Sequence, residues 1–329
     1  MKRNNDRSRG LLRGAALGAI TWIAAAGVAQ ALPPPCPTWF PDFRCERHGR
    51  YDGFVPTMMH PYLFEDPFIT TGVSAWGIYH EFPPDMVLDG GNLWAAALQA
   101  RVAITDRVAF IATKDGFVNF RPGNPAIDKD YGFTDITVGL KGSVIDKPEI
   151  PFILSPSLRF QIPVGSQGTL QGNGNGVFIP DISAAWGYEK FHVIGDFGGQ
   201  FPTNTDEQST SLFYHLHLDY ALFSHFVPFF EVGGFHYLDG GDGSTRVNLS
   251  SDVGGGSIPI GAAASGFEGY DYANLGNRNV ANNNMLSYSL GIRVPVNKHV
   301  ILGAAYEAPL THRRDALKQR AAVNVTVEF

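Results

Sequence analysis

The last eleven residues, Gln319-Arg320-Ala321-Ala322-Val323-Asn324-Val325-Thr326-Val327-Glu328-Phe329, alternate from end to end. Successive side chains of a strand point to opposite faces. Ala321, Val323, Val325, Val327 and Phe329 therefore fall on one side, with Arg320, Asn324, Thr326 and Glu328 on the other. About ten residues is also the length that carries a tilted strand across the hydrocarbon of a bilayer. Its apolar row would then face lipid, and its polar row the inside of a closed cylinder.

The same period recurs along the chain, predicting strands at about 70–82, 92–105, 108–120, 133–146, 151–164, 178–189, 191–202, 209–223, 226–239, 285–296, 299–311 and 319–329. In 151–164, Phe152, Leu154, Leu158, Phe160 and Ile162 oppose Ser155, Ser157, Arg159 and Gln161. In 133–146, Ile136, Val138 and Leu140 oppose Asp135, Thr137 and Lys141, and in 209–223, Leu212, Tyr214, Leu216 and Leu218 oppose His215, His217 and Asp219. Pro156, Pro163 and Pro228 each lack a ladder donor and are expected near strand ends or bulges.

The connections alternate as strictly as the residues. Thr105-Asp106-Arg107, Asp146-Lys147-Pro148-Glu149, Glu189-Lys190, Ser224-His225 and Asn297-Lys298-His299 are short. Between them lie the longer, polar 83–91, 121–132, 165–177, 203–208, 240–284 and 312–318. Short periplasmic turns, long outer loops and an even strand count mark a bacterial outer-membrane barrel. The expected fold class is all-β: a transmembrane antiparallel up-and-down β-barrel of about twelve strands over 70–329. The 38 glycines, 24 phenylalanines and 17% charged residues agree with it, although one or two soluble β domains share such a composition.

Lys2, Arg3, Arg7, Arg9 and Arg13, an apolar run from Gly14 to Ala29 and a small-x-small end at Ala29-Gln30-Ala31 read as a secretory signal peptide over 1–31. Its removal leaves 20 basic and 30 acidic residues, a net charge of −10. A Gram-negative outer membrane is the expected location, with lipid as surroundings. Residues 32–69 are expected to cap the periplasmic end or to insert as a plug; within them Cys36 and Cys45 can close a disulfide in an oxidising periplasm. The terminal Phe329 resembles the C-terminal signal that outer-membrane proteins present to the barrel-assembly machinery, an expected partner.

The stretch Gly132 to Phe235 carries a further pattern: Asp135-x-x-x-Gly139-x-Lys141, then Leu158-Arg159-Phe160-Gln161-Ile162-Pro163-Val164-Gly165, then Gly172-Asn173-Gly174-Asn175-Gly176. It resembles the outer-membrane β-barrel family named for a phenol-degradation (meta-cleavage) pathway. The resemblance implies a pore or transport barrel serving aromatic or other hydrophobic compounds. It does not account for Pro61-Tyr62-Leu63-Phe64-Glu65-Asp66-Pro67-Phe68 or for the loop 240–284.

Twelve strands tilted near 40° enclose a backbone radius of about 12 Å, so the inward side chains decide function. Alternation turns Arg101, Lys141 and Arg159 inward on strands two to five, with Lys114 beside them. Asp181, Asp196, Asp219 and Glu231 follow on strands six to nine, then Arg293, Glu307 and Arg320. Two arrangements stay open: a transverse field across a passage, or ion pairs that fill it. His215 and His217, two apart, point the same way and with Asp219 offer part of a metal site or proton-responsive gate. Neither a metal nor another cofactor is expected.

A channel for small solutes is the leading functional expectation. A closed structural or adhesion barrel acting through its outer loops is the alternative. An outer-membrane hydrolase comes last, since it needs an outward serine–histidine pair that the histidine positions do not suggest, and no catalytic residue is assigned. The acidic chain has no basic run for nucleic acid.

Overall fold

The computed structural model describes residues 51, 53–223, 225–260 and 266–329. The signal segment and the Cys36–Cys45 pair lie outside them.

The wall runs β1 (Gly72–Glu81), β2 (Gly91–Ala103), β3 (Val108–Lys114) with β4 (Phe117–Pro122), then β5 (Asp130–Phe133), β6 (Ile136–Gly142) and β7 (Ile145–Lys147). It continues through β8 (Phe152–Ile162), β9 (Val177–Tyr188), β10 (Phe191–Pro202), β11 (Thr210–Tyr220) and β12 (Val227–Asp239). After the short β13 (Arg246–Asn248) and β14 (Ser257–Pro259) of the long outer loop come β15 (Asn284–Pro295), β16 (Val300–Pro309) and β17 (Gln319–Glu328). Neighbours pair antiparallel, and β1 pairs with both β2 and β17, in register from Gly72↔Glu328 to Glu81↔Gln319. The sheet thus closes on itself, and its wall has twelve strand positions, because β3–β4 and β5–β6–β7 are each one expected strand in pieces. Closure matters physically, since hydrocarbon gives an edge N–H or C=O no partner.

Burial is inverted relative to a soluble protein. Leu98 is 57% exposed, Leu158 54% and Phe197 52%, whereas Lys141 and Arg159 are each 1% exposed and Arg293 0%. Large apolar side chains face out all round the cylinder and cations face in, the signature of a barrel surrounded by lipid.

The divided strands depart from the expected pattern for local reasons. β2 pairs with β4 over Gly91–Ala96 and with β3 over Ala100–Ala103, leaving Ala97, Leu98 and Gln99 without a ladder partner on that side. Asp115 and Gly116 make the break: the Leu98 N–H donates to Asp115 Oδ1 at 2.7 Å, and Gly116 sits at φ +129°, where an added Cβ would lie 2.5 Å from Ala96 O. Pro156 lies inside β8, not at a strand end. It faces the break at Ser143-Val144, because β8 pairs with β7 over Phe152–Leu154 and with β6 over Ser157–Ile162. The proline's missing donor falls beside a neighbour's interruption, which is how a mid-strand position tolerates it.

Candidate functional site

Two obstructions fill the lumen. The first is the segment before β1. Tyr51, at the short-turn end, donates to Asp146 Oδ1 at 2.8 Å and to Phe152 O at 3.1 Å. The chain climbs inside the barrel and turns where the N–H groups of Leu63 and Phe64 both donate to His60 O. It then returns to Phe68, whose ring packs 5.2 Å from Phe54 and 5.3 Å from Tyr51. The segment 32–69 therefore does not simply cap the barrel: its described part is a re-entrant hairpin inside the wall. Tyr51, Phe54, Met59, Phe64 and Phe68 pack with Ile153, Ala185 and Ile194 of β8–β10 as its apolar side.

The inward charges of the wall hold this hairpin. Arg101 donates to Glu65 through Nε at 2.9 Å and Nη2 at 2.6 Å, and Lys141 Nζ donates to Glu65 Oε1 at 2.7 Å and Asp66 O at 2.7 Å. Arg159 donates to Tyr62 O at 2.6 Å, Leu63 O at 2.9 Å and Asp181 at 2.8 Å. Glu231 accepts the N–H groups of Met58 and Met59, each at 2.8 Å. Arg293 donates to Pro56 O at 2.9 Å and Thr57 O at 2.6 Å. Basic and acidic walls thus do not face each other across an open passage. Of the two arrangements left open by the sequence, the filled one is present, and what fills it is backbone and the carboxylates of Glu65 and Asp66 from the hairpin.

The second obstruction comes from the long outer loop, whose β13–β14 pair lies beside the β4–β5 connection while residues 266–283 fold inward. Asp271 receives a two-pronged ion pair from Arg320, which also donates to Glu307 at 3.3 Å. Tyr270 donates to Glu307 and meets His60, which lies 2.5 Å from His215 Nε2, and His215 Nδ1 lies 2.6 Å from Asp196 Oδ1. A polar chain thereby crosses the lumen from β10 to β17 through both obstructions. His217 does not share a site with His215: it lies 2.8 Å from Glu231 and 3.1 Å from Asp219, whose other oxygen meets His192 at 2.7 Å. Phe329 donates its N–H to Thr71 O at 2.9 Å, tying the last strand to the hairpin's exit.

Glu268 shapes the inner end of the loop. It accepts Ser209 Oγ–H and the Asn277 N–H, each at 2.7 Å, and the Leu275 N–H at 2.9 Å. Burial outweighs these donors and pushes the carboxyl up from 4.5 to about 6; burial likewise raises Asp315, which accepts the Glu268 N–H. A carboxyl raised in the docked loop takes up its proton there more readily than in a released loop. Docking should therefore tighten as pH falls from about 6 toward 4.5, by roughly tenfold or more, and stay flat above. Amide exchange at Leu275 and Asn277, corrected for its intrinsic pH dependence, should slow across that window. Faster corrected exchange at pH 5 than at pH 7 contradicts the linkage.

Between hairpin, loop and wall lies an empty space of about 570 Å³, part of it continuous with solvent. Trp76, Ile78, Ala95, Ala97 and Val118 give it apolar walls, and Lys114 and Asp115 bring charge to it beside the wall break.

Sequence reasoning named the wall residues of this site and passed over His60, Glu65, Tyr270 and Asp271, which complete it. The one available signal was the proline-bounded aromatic run 61–68 with two acids at its centre. Among the described residues no cluster of His, Cys, Asp and Glu fit for a metal is present.

A family model described as "Putative MetA-pathway of phenol degradation" matches residues 69–265, more than half of the 329. The chain belongs to this family. The match reaches beyond 132–235 at both ends and takes in part of the outer loop. Within this MetA-pathway barrel, the motif residues have physical tasks. Asp135 accepts the Gly165 and Gly172 N–H groups at 3.0 and 2.8 Å, pinning the loop after β8. At Gly139 a Cβ would lie 2.7 Å from Arg159 Cγ, so the glycine lets Arg159 pass toward the hairpin that Lys141 anchors. An outer membrane channel from Pseudomonas putida F1 superposes with a TM-score of 0.53 at 13% identity, over 84% of this chain and 100% of that one. The Pseudomonas putida toluene transporter TodX gives 0.37 at 7% identity, over 87% and 98%. The likeness to the Pseudomonas putida F1 channel shows the fold, that of an outer-membrane β-barrel. No curated protein matches the sequence at a significant level.

Proposed function

We propose that this family member is a gated outer-membrane channel that passes small, apolar or aromatic solutes. The observation that carries the reading is the apolar cavity between an inner and an outer obstruction, part of it open to solvent. Both obstructions are held by hydrogen bonds and ion pairs and by packing, so either can leave without breaking the barrel. An apolar compartment in an otherwise polar lumen fits a solute with a ring or chain. The family description, which names a phenol-degradation pathway, supports the same class. Assembly through a C-terminal signal ending in Phe329 belongs to this reading too.

A closed structural or adhesion barrel is the second reading, favoured by the pairing of the wall charges with the hairpin and loop. A hydrolytic role has less support. His236 does face outward and lies 2.7 Å from Asn284 Oδ1, a base with an orienting amide, yet its same-face neighbours on β12 are Gly234 and Leu238, which carry no hydroxyl. Planar-bilayer recording and liposome swelling with neutral, anionic and aromatic solutes separate the first two. The channel reading predicts uptake that rises when residues 51–69 are deleted. Impermeability of both the parent and the deletion protein to every solute favours the closed barrel.

A further inference from the structure

We propose that the cavity beside the wall break binds a single-ring aromatic anion, a carboxylate or phenolate, with Lys114 as its charge partner. The proposal rests on the channel reading for its biological use, but its chemistry stands on the cavity alone. Lys114 is 6% exposed. Among the described residues its one hydrogen bond is a long one, 3.3 Å to Tyr272 O, and its ammonium stands 4.5 Å from the centre of the Tyr62 ring. Among the described residues no carboxylate lies within ion-pair distance of it. A buried cation left that way is costly, and an oxygen anion in the cavity removes the cost.

The other cation around the cavity is already matched, while Asp115 has a hydrogen-bond donor but no ion partner among the described residues. Asp271 and Arg320 hold each other by two bonds, Arg320 also serves Glu307 and meets His80 at 3.2 Å, and Asp115 at the rim accepts the Leu98 N–H. Lys114 is the remaining attraction, and it is aimed at an apolar chamber. That chamber exists because β2 presents Ala95 and Ala97 inward between the larger Trp76, Ile78 and Val118. Leaving aside the part open to solvent, it has room for roughly five to seven water molecules, the space of one aromatic ring with a small substituent. Ring and anion are thus both specified: acetate leaves the chamber empty, and an uncharged ring leaves Lys114 unmatched.

Benzoate, benzamide and acetate are the probes, titrated against the full-length protein in detergent by calorimetry. The parent is expected to bind benzoate at least tenfold more tightly than either of the others. Lys114→Met should cut benzoate affinity at least tenfold and leave benzamide unchanged, and Ala97→Phe should abolish both. Heat-modifiable gel mobility reports whether each variant has folded, and the comparison of probes on the parent needs no variant. Equal affinity for benzoate and benzamide, equal affinity for benzoate and acetate, or no benzoate binding at millimolar concentration each overturns the proposal. Binding without conductance would sink the channel reading and leave this site standing; conductance without binding does the reverse.

Discussion

A Glu65→Gln protein is expected to conduct where the parent is closed. Glu65 is 1% exposed and is the one carboxylate shared by Arg101 and Lys141, at 2.6 and 2.7 Å. The amide keeps the shape and one acceptor oxygen, but it removes the carboxylate that pairs with Arg101 and leaves Lys141 only its longer pair with Asp66, at 3.2 Å. Leaving buried charge without its partner costs about 3–5 kcal/mol. The cost falls on the docked hairpin, because the released hairpin frees Arg101 and Lys141 to meet water. The docking equilibrium should move toward release by a factor of several hundred or more. Single-channel recording should show new open events, and a protease added from the hairpin side should cut within 51–69. The barrel ladder is untouched, so heat-modifiable mobility should persist. A silent channel whose hairpin stays protected would mean that the packing of Phe54, Phe64 and Phe68, and not Glu65, holds the segment.

The outer obstruction should respond as strongly to Arg320→Leu. Arg320 is 4% exposed and neutralises Asp271 from the loop and Glu307 from β16. Without it two buried carboxylates lose their shared cation, and at pH 8, where proton uptake is least favourable, the loop end relieves this by leaving. Hydrogen exchange across 266–280 is expected to rise by at least a hundredfold, with the amides of β16 little changed. Arg320→Lys should fall between parent and leucine variant, since one ammonium cannot reproduce the planar fork that grips Asp271. Unaltered exchange in the leucine variant contradicts the assignment of Arg320 as the loop's anchor.

How much of this was legible beforehand follows from what alternation encodes. Period 2 assigns each strand residue to one of two faces, so Lys141, Arg159, His215, Glu231 and Arg320 could be turned inward from sequence, and their burial agrees. It does not say what an inward side chain meets. Glu65 and Asp271 lie on segments without a period, and they reach Lys141 and Arg320 across 76 and 49 residues of chain. No local pattern encodes such contacts. The break at Asp115-Gly116 carries a punctuating pair that the apolar alternation on either side hid, and the one at Thr134-Asp135 carries none. Pro156 was misplaced for a related reason: its tolerance depends on an interruption in the adjacent strand, and a single strand's sequence carries no information about its neighbour.

The meeting of His60 with Tyr270 makes the two ends of the lumen mutually dependent. Each ring supplies the other with a polar partner that lipid-bound protein cannot replace and that only water can. Once the hairpin withdraws, Tyr270 has lost one of its contacts and the loop lets go at lower cost; withdrawal of the loop weakens the hairpin by an equal amount, because coupling free energy is reciprocal. Opening at one end therefore makes opening at the other cheaper, and the two obstructions respond to each other although they sit at different depths of the lumen.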